Sequence, residues 1–240
     1  MKKYSFILFA FAMLAVLVSC SEDDYVCECV TDNGGTGVAL LDTIIDTQYI
    51  DSLSYHGFSI YSGTPNMLFA TADTFRFNPV LMTYSNLAAD KAIVGDSAYY
   101  SNLKDDCYII ISNQTSSQHI SVRRIEQYTF NGALYTTDEK SEGVITGNSD
   151  GYFTIYADEM GKVTSTGVEI TYKQPLLISG RKTAQGLQNC VLGIIMQAKY
   201  NDYNGMLVPV GTIRLFKDLD NMAYYSSLPL GWGKIAAPTK

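Results

Sequence analysis

The stretch Tyr128-Thr129-Phe130-Asn131-Gly132-Ala133-Leu134-Tyr135 decides the fold class. Asn-Gly at its centre accepts the positive backbone φ angles of a type I′ turn, and the twist of that turn matches the strands that it joins. The flanking residues are rich in the aromatic and β-branched types that favour strands. We therefore predict an antiparallel hairpin centred on residues 131 and 132.

Strand signals recur along the rest of the chain. Predicted strands cover residues 58–61, 75–77, 107–111, 152–157, 163–172, 191–200 and 207–216. The apolar run at 107–111 is continuous, which is typical of a strand buried on both faces. We expect residues 152–157 to form a hairpin with 163–172. Residues 191–200 are expected to pair with 207–216 in the same way.

Helical patterns are weak, and only residues 88–92 and 220–225 are predicted to form short helical turns. Strands separated by turns at short intervals are typical of a sandwich or a barrel. We predict an all-β fold, an antiparallel β-sandwich, with a lipocalin-like β-barrel as the alternative. Charged residues at 137–143 indicate either a boundary between two β subdomains or one more charged hairpin loop.

The N-terminal residues have the features of a secretory signal. Lys2 and Lys3 precede an apolar run over residues 6–18, with small residues at a cleavage point. The run is too short for an unassisted membrane span, which needs about 20 residues. Residues 1–19 are therefore predicted to be a signal peptide.

The stretch Leu17-Val18-Ser19-Cys20 resembles the bacterial lipobox. The resemblance implies that Cys20 is lipidated and becomes the new N-terminus, and two or three acyl chains hold a protein at a membrane where one would not. Residues 21–24, Ser-Glu-Asp-Asp, are similar to the acidic tag of surface-exported lipoproteins of Bacteroidetes. These resemblances imply an outer-membrane anchor and exposure at the cell surface, with a periplasm-facing orientation as the alternative.

Glycines at 34, 35 and 37 give residues 20–37 a free backbone, so we expect a lipidated tether ahead of a β-rich region at 38–240. Residues 1–19 hold two lysines and no acid, so their removal changes the formal charge from −7 to −9. A chain this acidic is not expected to bind nucleic acid through a basic patch. We expect the protein to associate with the outer membrane through its lipid anchor.

Four cysteines remain after Cys20: Cys27, Cys29, Cys107 and Cys190. Export permits disulfides, and four cysteines allow three connectivities. A bridge between Cys27 and Cys29 would be strained, so one of them could pair with Cys107 or Cys190. Buried free thiols are the alternative. No cluster with metal-ligand spacing is present, and we predict neither a metal nor a cofactor.

Enzyme signatures are few. The chain has no Gly-x-Ser-x-Gly elbow, no phosphate-binding loop and no His-Glu-x-x-His motif, and its two histidines, His56 and His119, lie far from any nucleophile in sequence. A glycoside hydrolase would need two carboxylates flanking one bond. Glu126 and Glu169, both on predicted strands, are the candidates for that pair. This pattern alone is not enough to predict a catalytic residue, and we predict none.

Tyrosine is abundant, with 18 Tyr against a single Trp. Exposed rings offer flat apolar area with a polar tip, which suits stacking on sugars or anchoring a protein partner. Trp232, Tyr203, Tyr99 and Tyr225 are the candidate ligand-binding residues. Separately, the sequences around Thr43, Ser52 and Ser97 are similar to the Asp-Ser/Thr-apolar sites at which Bacteroidetes attach O-glycans, which implies acceptors on exposed loops.

These patterns favour a non-catalytic surface lipoprotein that binds carbohydrate or an envelope protein. A subunit of a surface appendage or adhesin is the first alternative and would present an unpaired strand edge. A glycoside hydrolase and a carrier of a small apolar ligand are the others. Converging carboxylates would favour the hydrolase, and an aromatic surface would favour sugar binding.

Overall fold

The computed structural model describes residues 41, 43–77, 80–96, 106–130, 133–165, 168–200, 208–218 and 222–225. The protein is mostly β, with 52% of residues in strands and 10% in helices, and a large antiparallel sheet curls into a half-barrel. The all-β prediction is confirmed. Among the described residues, no helix has both the length and the apolar character needed to cross a membrane.

The described elements are one α-helix, one 3-10 helix and 13 strands. The helices are α1 (Thr47–Tyr55) and η1 (Ala88–Asp90). The strands are β1 (Asp73–Arg76), β2 (Val80–Ser85), β3 (Asp106–Ser112), β4 (His119–Phe130), β5 (Ala133–Gly147), β6 (Tyr152–Ala157), β7 (Met160–Ser165), β8 (Val168–Lys173), β9 (Leu176–Thr183), β10 (Gly186–Ile195), β11 (Ala198–Lys199), β12 (Ile213–Asp218) and β13 (Met222–Tyr225).

Ten strands form the large sheet, in the order β13-β1-β3-β4-β5-β6-β9-β10-β12-β2. The first strand, β13, also pairs with β10, through Gly186 with Ala223 and Leu187 with Met222. The sheet therefore bends far enough for its two sides to meet along β13. A second sheet of three strands, β11-β8-β7, branches off after β6.

The predicted hairpin is the centre of the large sheet. Tyr128 pairs with Tyr135 and Phe130 with Ala133, which is the register that a two-residue Asn-Gly loop imposes. The charged segment 137–143 lies inside β5, so no hairpin loop falls there. Some of its charges pair with the neighbouring strand, as when Asp138 binds Arg123 at 2.5 Å.

Two apolar clusters lie on the two faces of the curled sheet. The inner core joins strands far apart in the sheet order, for example Phe75 on β1 and Phe153 on β6 through Phe69. Residues that distant can meet only inside the curl. The outer core lies on the opposite face of β5, β6, β9, β10 and β12, where Leu53 of α1 and Phe58 cover it.

Several local predictions were wrong. Residues 58–61 form no strand, and 220–225 contain strand β13 rather than a helical turn. Segment 152–157 does not pair with 163–172; it lies in the large sheet, while β7 and β8 form a hairpin of their own. The predicted pairing of 191–200 with 207–216 is confirmed only from Ile213 onward. Backbone pairing with strands distant in sequence decides the cases of β6 and β13.

Candidate functional site

A layer of polar side chains closes one end of the inner core. Alternate residues of a strand share a face, so a residue two positions from a core residue points the same way. On β3, Cys107 stands two positions before the inner-core residue Ile109. On β4, Arg124 and Glu126 follow Val122 by two and four positions. Charged side chains are thereby directed into the curl.

The neighbouring strands and the connections beside them add three more members. Glu139 lies on β5 opposite Arg124. Glu159 lies in the connection after β6, two positions beyond the inner-core residue Ala157, and Gln174 lies in the connection before β9, two positions ahead of Leu176. Residues Cys107, Arg124, Glu126, Glu139, Glu159 and Gln174 are called the polar layer below.

Arg124 is the centre of the polar layer. Its side chain is only 6% exposed, and its Nη1 lies 2.6 Å from Glu126 Oε1. Its Nη2 donates to Glu159 Oε1 at 2.5 Å, and its Nε lies 3.3 Å from Glu159 Oε2. Burial alone would lower the pKa of Arg124, but the attraction of Glu126 and Glu159 outweighs it and raises that pKa well above its ordinary value. The guanidinium stays charged and is shared between two carboxylates.

The third carboxylate, Glu139, has no such partner among the described residues. Its pKa is raised from 4.5 to about 7, chiefly by burial, and the repulsion of Glu159 and Glu126 contributes more than the attraction of Arg124 offsets. Burial also raises the pKa of Cys107 well above its ordinary value, with Glu126 contributing. At neutral pH the Cys107 thiol is therefore protonated, and Glu139 is poised between its acid and carboxylate forms.

Gln174 completes the polar layer at its buried side. Its Nε2 lies 3.2 Å from Glu159 Oε1, so the amide group stands beside that carboxylate. Its Oε1 is buried and has no hydrogen-bond partner among the residues that the structure describes. An acceptor left unsatisfied in this way costs free energy, so a donor placed beside it would stabilise the layer. Glu126, whose side chain is 21% exposed, and the partly buried Glu139 form the side that solvent reaches.

A second feature lies on the outer face, where α1 ends. Tyr55 is 85% exposed, and its ring stands edge-on to His56 at 4.9 Å between centroids. His56 in turn stacks on Tyr84 of β2 at 3.5 Å, with the planes 15° apart. We call Tyr55, His56 and Tyr84 the aromatic surface.

The candidate ligand-binding residues Trp232, Tyr203 and Tyr99 lie outside the described residues. Tyr225 lies in β13, where its backbone pairs with Thr74. Of the hydrolase candidates, Glu126 is in the polar layer, and Glu169 is on β8 in the other sheet. The sequence reasoning missed Arg124, Glu139, Glu159 and Gln174. For Arg124 and Glu139, the available signal was their position on strands that also carry core residues. Glu159 and Gln174 lie in connections between strands, where no such pattern applies.

The cysteine and glycan candidates are also placed only in part. Cys107 and Cys190 are free and do not bridge one another; Cys20, Cys27, Cys29 and Ser97 lie outside the described residues. Thr43 is exposed. Ser52 lies half-buried within α1, so the expectation of an exposed loop was wrong there, because the amphipathic helix covers the outer core.

Within the described part of the chain, no group of three or more His, Cys, Asp or Glu side chains is placed to hold a metal ion. The acids of the polar layer are thus not arranged as metal ligands. Comparison with protein families, with curated proteins and with solved structures finds no match to this chain.

Proposed function

We propose that this protein is an outer-membrane lipoprotein, anchored through Cys20, whose β domain binds carbohydrate at the cell surface without transforming it. The lipobox-like stretch and the acidic tag support the anchor. The curled antiparallel sheet supplies a rigid scaffold for a binding surface. Sugar recognition also needs an exposed aromatic ring on which the face of a pyranose can stack.

The aromatic surface is the observation that carries the proposal. Tyr55 is 85% exposed at the end of a helix, so its ring is open to solvent and to a ligand. His56, wedged between the rings of Tyr55 and Tyr84, limits how the group can rearrange. A preorganised ring loses little side-chain entropy when a ligand stacks on it.

A glycan array of the purified protein tests this proposal. We expect retained glycans, and we expect Tyr55→Ala to reduce their binding at least about tenfold, since a stacked aromatic anchor contributes about 2 kcal/mol or more. Tyr200→Ala is the matched control, because Tyr200 is also exposed, at 61%, but follows β11 of the other sheet. Trp232→Ala tests one of the candidate rings that lie outside the described residues.

Equal binding by the wild type and Tyr55→Ala would remove the aromatic surface from the proposal. An array with no retained glycan would leave a protein partner as the ligand class to search. The anchor is tested separately: mass spectrometry should find an acylated N-terminal Cys20, and Cys20→Ser should abolish acylation. A processed chain without lipid would overturn the localisation.

A glycoside hydrolase is the second candidate, favoured by the meeting of Glu126 and Glu139 in one layer. A carboxyl group with a pKa of about 7 can act as a general acid at neutral pH. One feature of the polar layer argues against a hydrolase. Both Glu126 and Glu159 bind Arg124, so neither is a free nucleophile or base. Hydrolysis of nitrophenyl glycosides that is abolished by Glu139→Gln would establish this function in place of binding alone.

A further inference from the structure

The polar layer contains more negative than positive groups. Arg124 is its only cation, and each of its three nitrogens faces Glu126 or Glu159. Glu139 therefore meets two carboxylates and a guanidinium already engaged with both of them. A buried charge without a partner is costly, and the site can offset that cost by binding a cation.

Gln174 gives an independent observation on the chemistry of a ligand. Its side chain is nine-tenths buried or more, since the residue is only 1% exposed, and its Nε2 is engaged with Glu159. Within the described part of the chain, its Oε1 accepts no hydrogen bond. A ligand that brings an N–H or O–H donor as well as a positive charge would therefore suit both this acceptor and the surplus carboxylates.

We propose that the polar layer binds a primary ammonium group. An ammonium carries three N–H donors and one positive charge on a compact head, which matches one carbonyl acceptor and the surplus carboxylates. A water molecule would satisfy Gln174 but would leave the excess charge in place. A metal ion is disfavoured because the acids are not arranged as ligands in the described residues.

The geometry also sets the direction of entry. Glu126 and Glu139 border the solvent, whereas Glu159 and Gln174 lie deeper. The ammonium head enters past the two outer carboxylates and donates to Gln174 Oε1, and the rest of the ligand stays toward solvent. The site lies on the inner face, so it does not depend on the aromatic surface and is tested without any glycan.

Ethanolamine and ethylene glycol are a matched pair of probes, because they differ only in an ammonium against a hydroxyl. In NMR titrations of the full chain we expect ethanolamine to shift resonances of the layer with a Kd on the order of millimolar, about what four heavy atoms supply. Binding should also lower the pKa of Glu139. Equal shifts by ethylene glycol, by potassium chloride at the same ionic strength, or by neither probe would overturn the proposal.

Single-residue variants distinguish binding at the polar layer from non-specific binding to the acidic surface. Glu139→Gln removes the surplus charge and should weaken ethanolamine binding about tenfold or more. Gln174→Met removes the acceptor at similar volume and should weaken it severalfold. Glu142→Gln is the control, because Glu142 lies on the same strand but is exposed and pairs with His119 at 2.8 Å.

Wild-type affinity in Gln174→Met, or a loss in Glu142→Gln as large as that in Glu139→Gln, would contradict the site. Circular dichroism of each variant identifies any that fails to fold. If Glu139→Gln does not fold, the comparison of Gln174→Met with the wild type decides the question alone.

Discussion

Two arginines are buried on the inner side of the large sheet, and their surroundings differ. Arg214 on β12 is 2% exposed and meets a single acid, Asp90, with Nε at 2.6 Å and Nη2 at 3.0 Å from its two carboxylate oxygens. Ser85 Oγ donates to the same carboxylate at 2.6 Å. Arg124 faces three acids, two of which border solvent.

The difference separates a structural ion pair from a candidate site. The Arg214–Asp90 pair is neutral as a unit and joins η1, which follows the edge strand β2, to β12. Arg214 Nη1, which has no partner among the described residues, is a donor of a group whose charge is already balanced. The polar layer is unbalanced in charge and has an unpartnered acceptor. Only the polar layer would gain from a cationic ligand.

Breaking the neutral pair should have the largest effect on stability. Asp90→Ala leaves the Arg214 cation buried without a counter-charge, and we expect the free energy of unfolding to fall by about 4 kcal/mol. Chemical denaturation measures it. The double variant Arg214→Met/Asp90→Leu should recover most of the loss, since apolar side chains can replace a buried pair. A loss below about 1 kcal/mol in Asp90→Ala would mean that water reaches the pair.

Removing the other cation should cost less and depend on pH. Arg124→Met leaves Glu126, Glu139 and Glu159 together, and we expect a loss of about 3 kcal/mol at pH 8. The loss should shrink at pH 5, because crowded carboxylates can take up protons. Asp90→Ala should show no such recovery, since an arginine cannot lose its charge in this range. Equal losses at both pH values in Arg124→Met would contradict the charge excess.

The contrast between the two arginines could not be predicted from the sequence. The hairpin was predictable because an Asn-Gly pair between strand-forming residues favours a two-residue turn. The same alternation places Arg124 and Glu126 on one face of β4, but a charged face of a strand normally meets solvent. What buries it here is the curl, which brings Glu159 and Gln174, from the connections after β6 and before β9, against it.

Strand β13 and helix α1 show the same limit. Met222–Tyr225 has a local pattern that also suits a helical turn, and pairing with β1 and β10 makes it a strand. Thr47–Tyr55 spans nine residues, too short for a sustained helical period, and it is held by the apolar side of the outer core. Contacts between residues distant in sequence decide both.

Neutralising the surplus acid should stabilise the protein above neutral pH. The pKa of Glu139 is raised from 4.5 to about 7, so between these values the folded state binds more protons than the unfolded state. The free energy of unfolding therefore falls as pH rises through this window, by up to about 3 kcal/mol. Glu139→Gln should remove that fall and be more stable than the wild type at pH 8. Parallel pH profiles of the two proteins would show that Glu139 titrates normally.

The smallest expected effect is that of Gln174→Met in the absence of ligand. The variant loses the bond from Nε2 to Glu159, worth about 1 kcal/mol, and it also removes an unsatisfied buried acceptor whose penalty is of similar size. The two changes nearly cancel, so the free energy of unfolding should stay within about 1 kcal/mol of the wild type. A loss of about 3 kcal/mol would mean that Oε1 already has a partner, such as an ordered water, and the layer would then resemble the closed pair at Arg214. A near-neutral change would indicate that Gln174 serves ligand binding and not the stability of the fold.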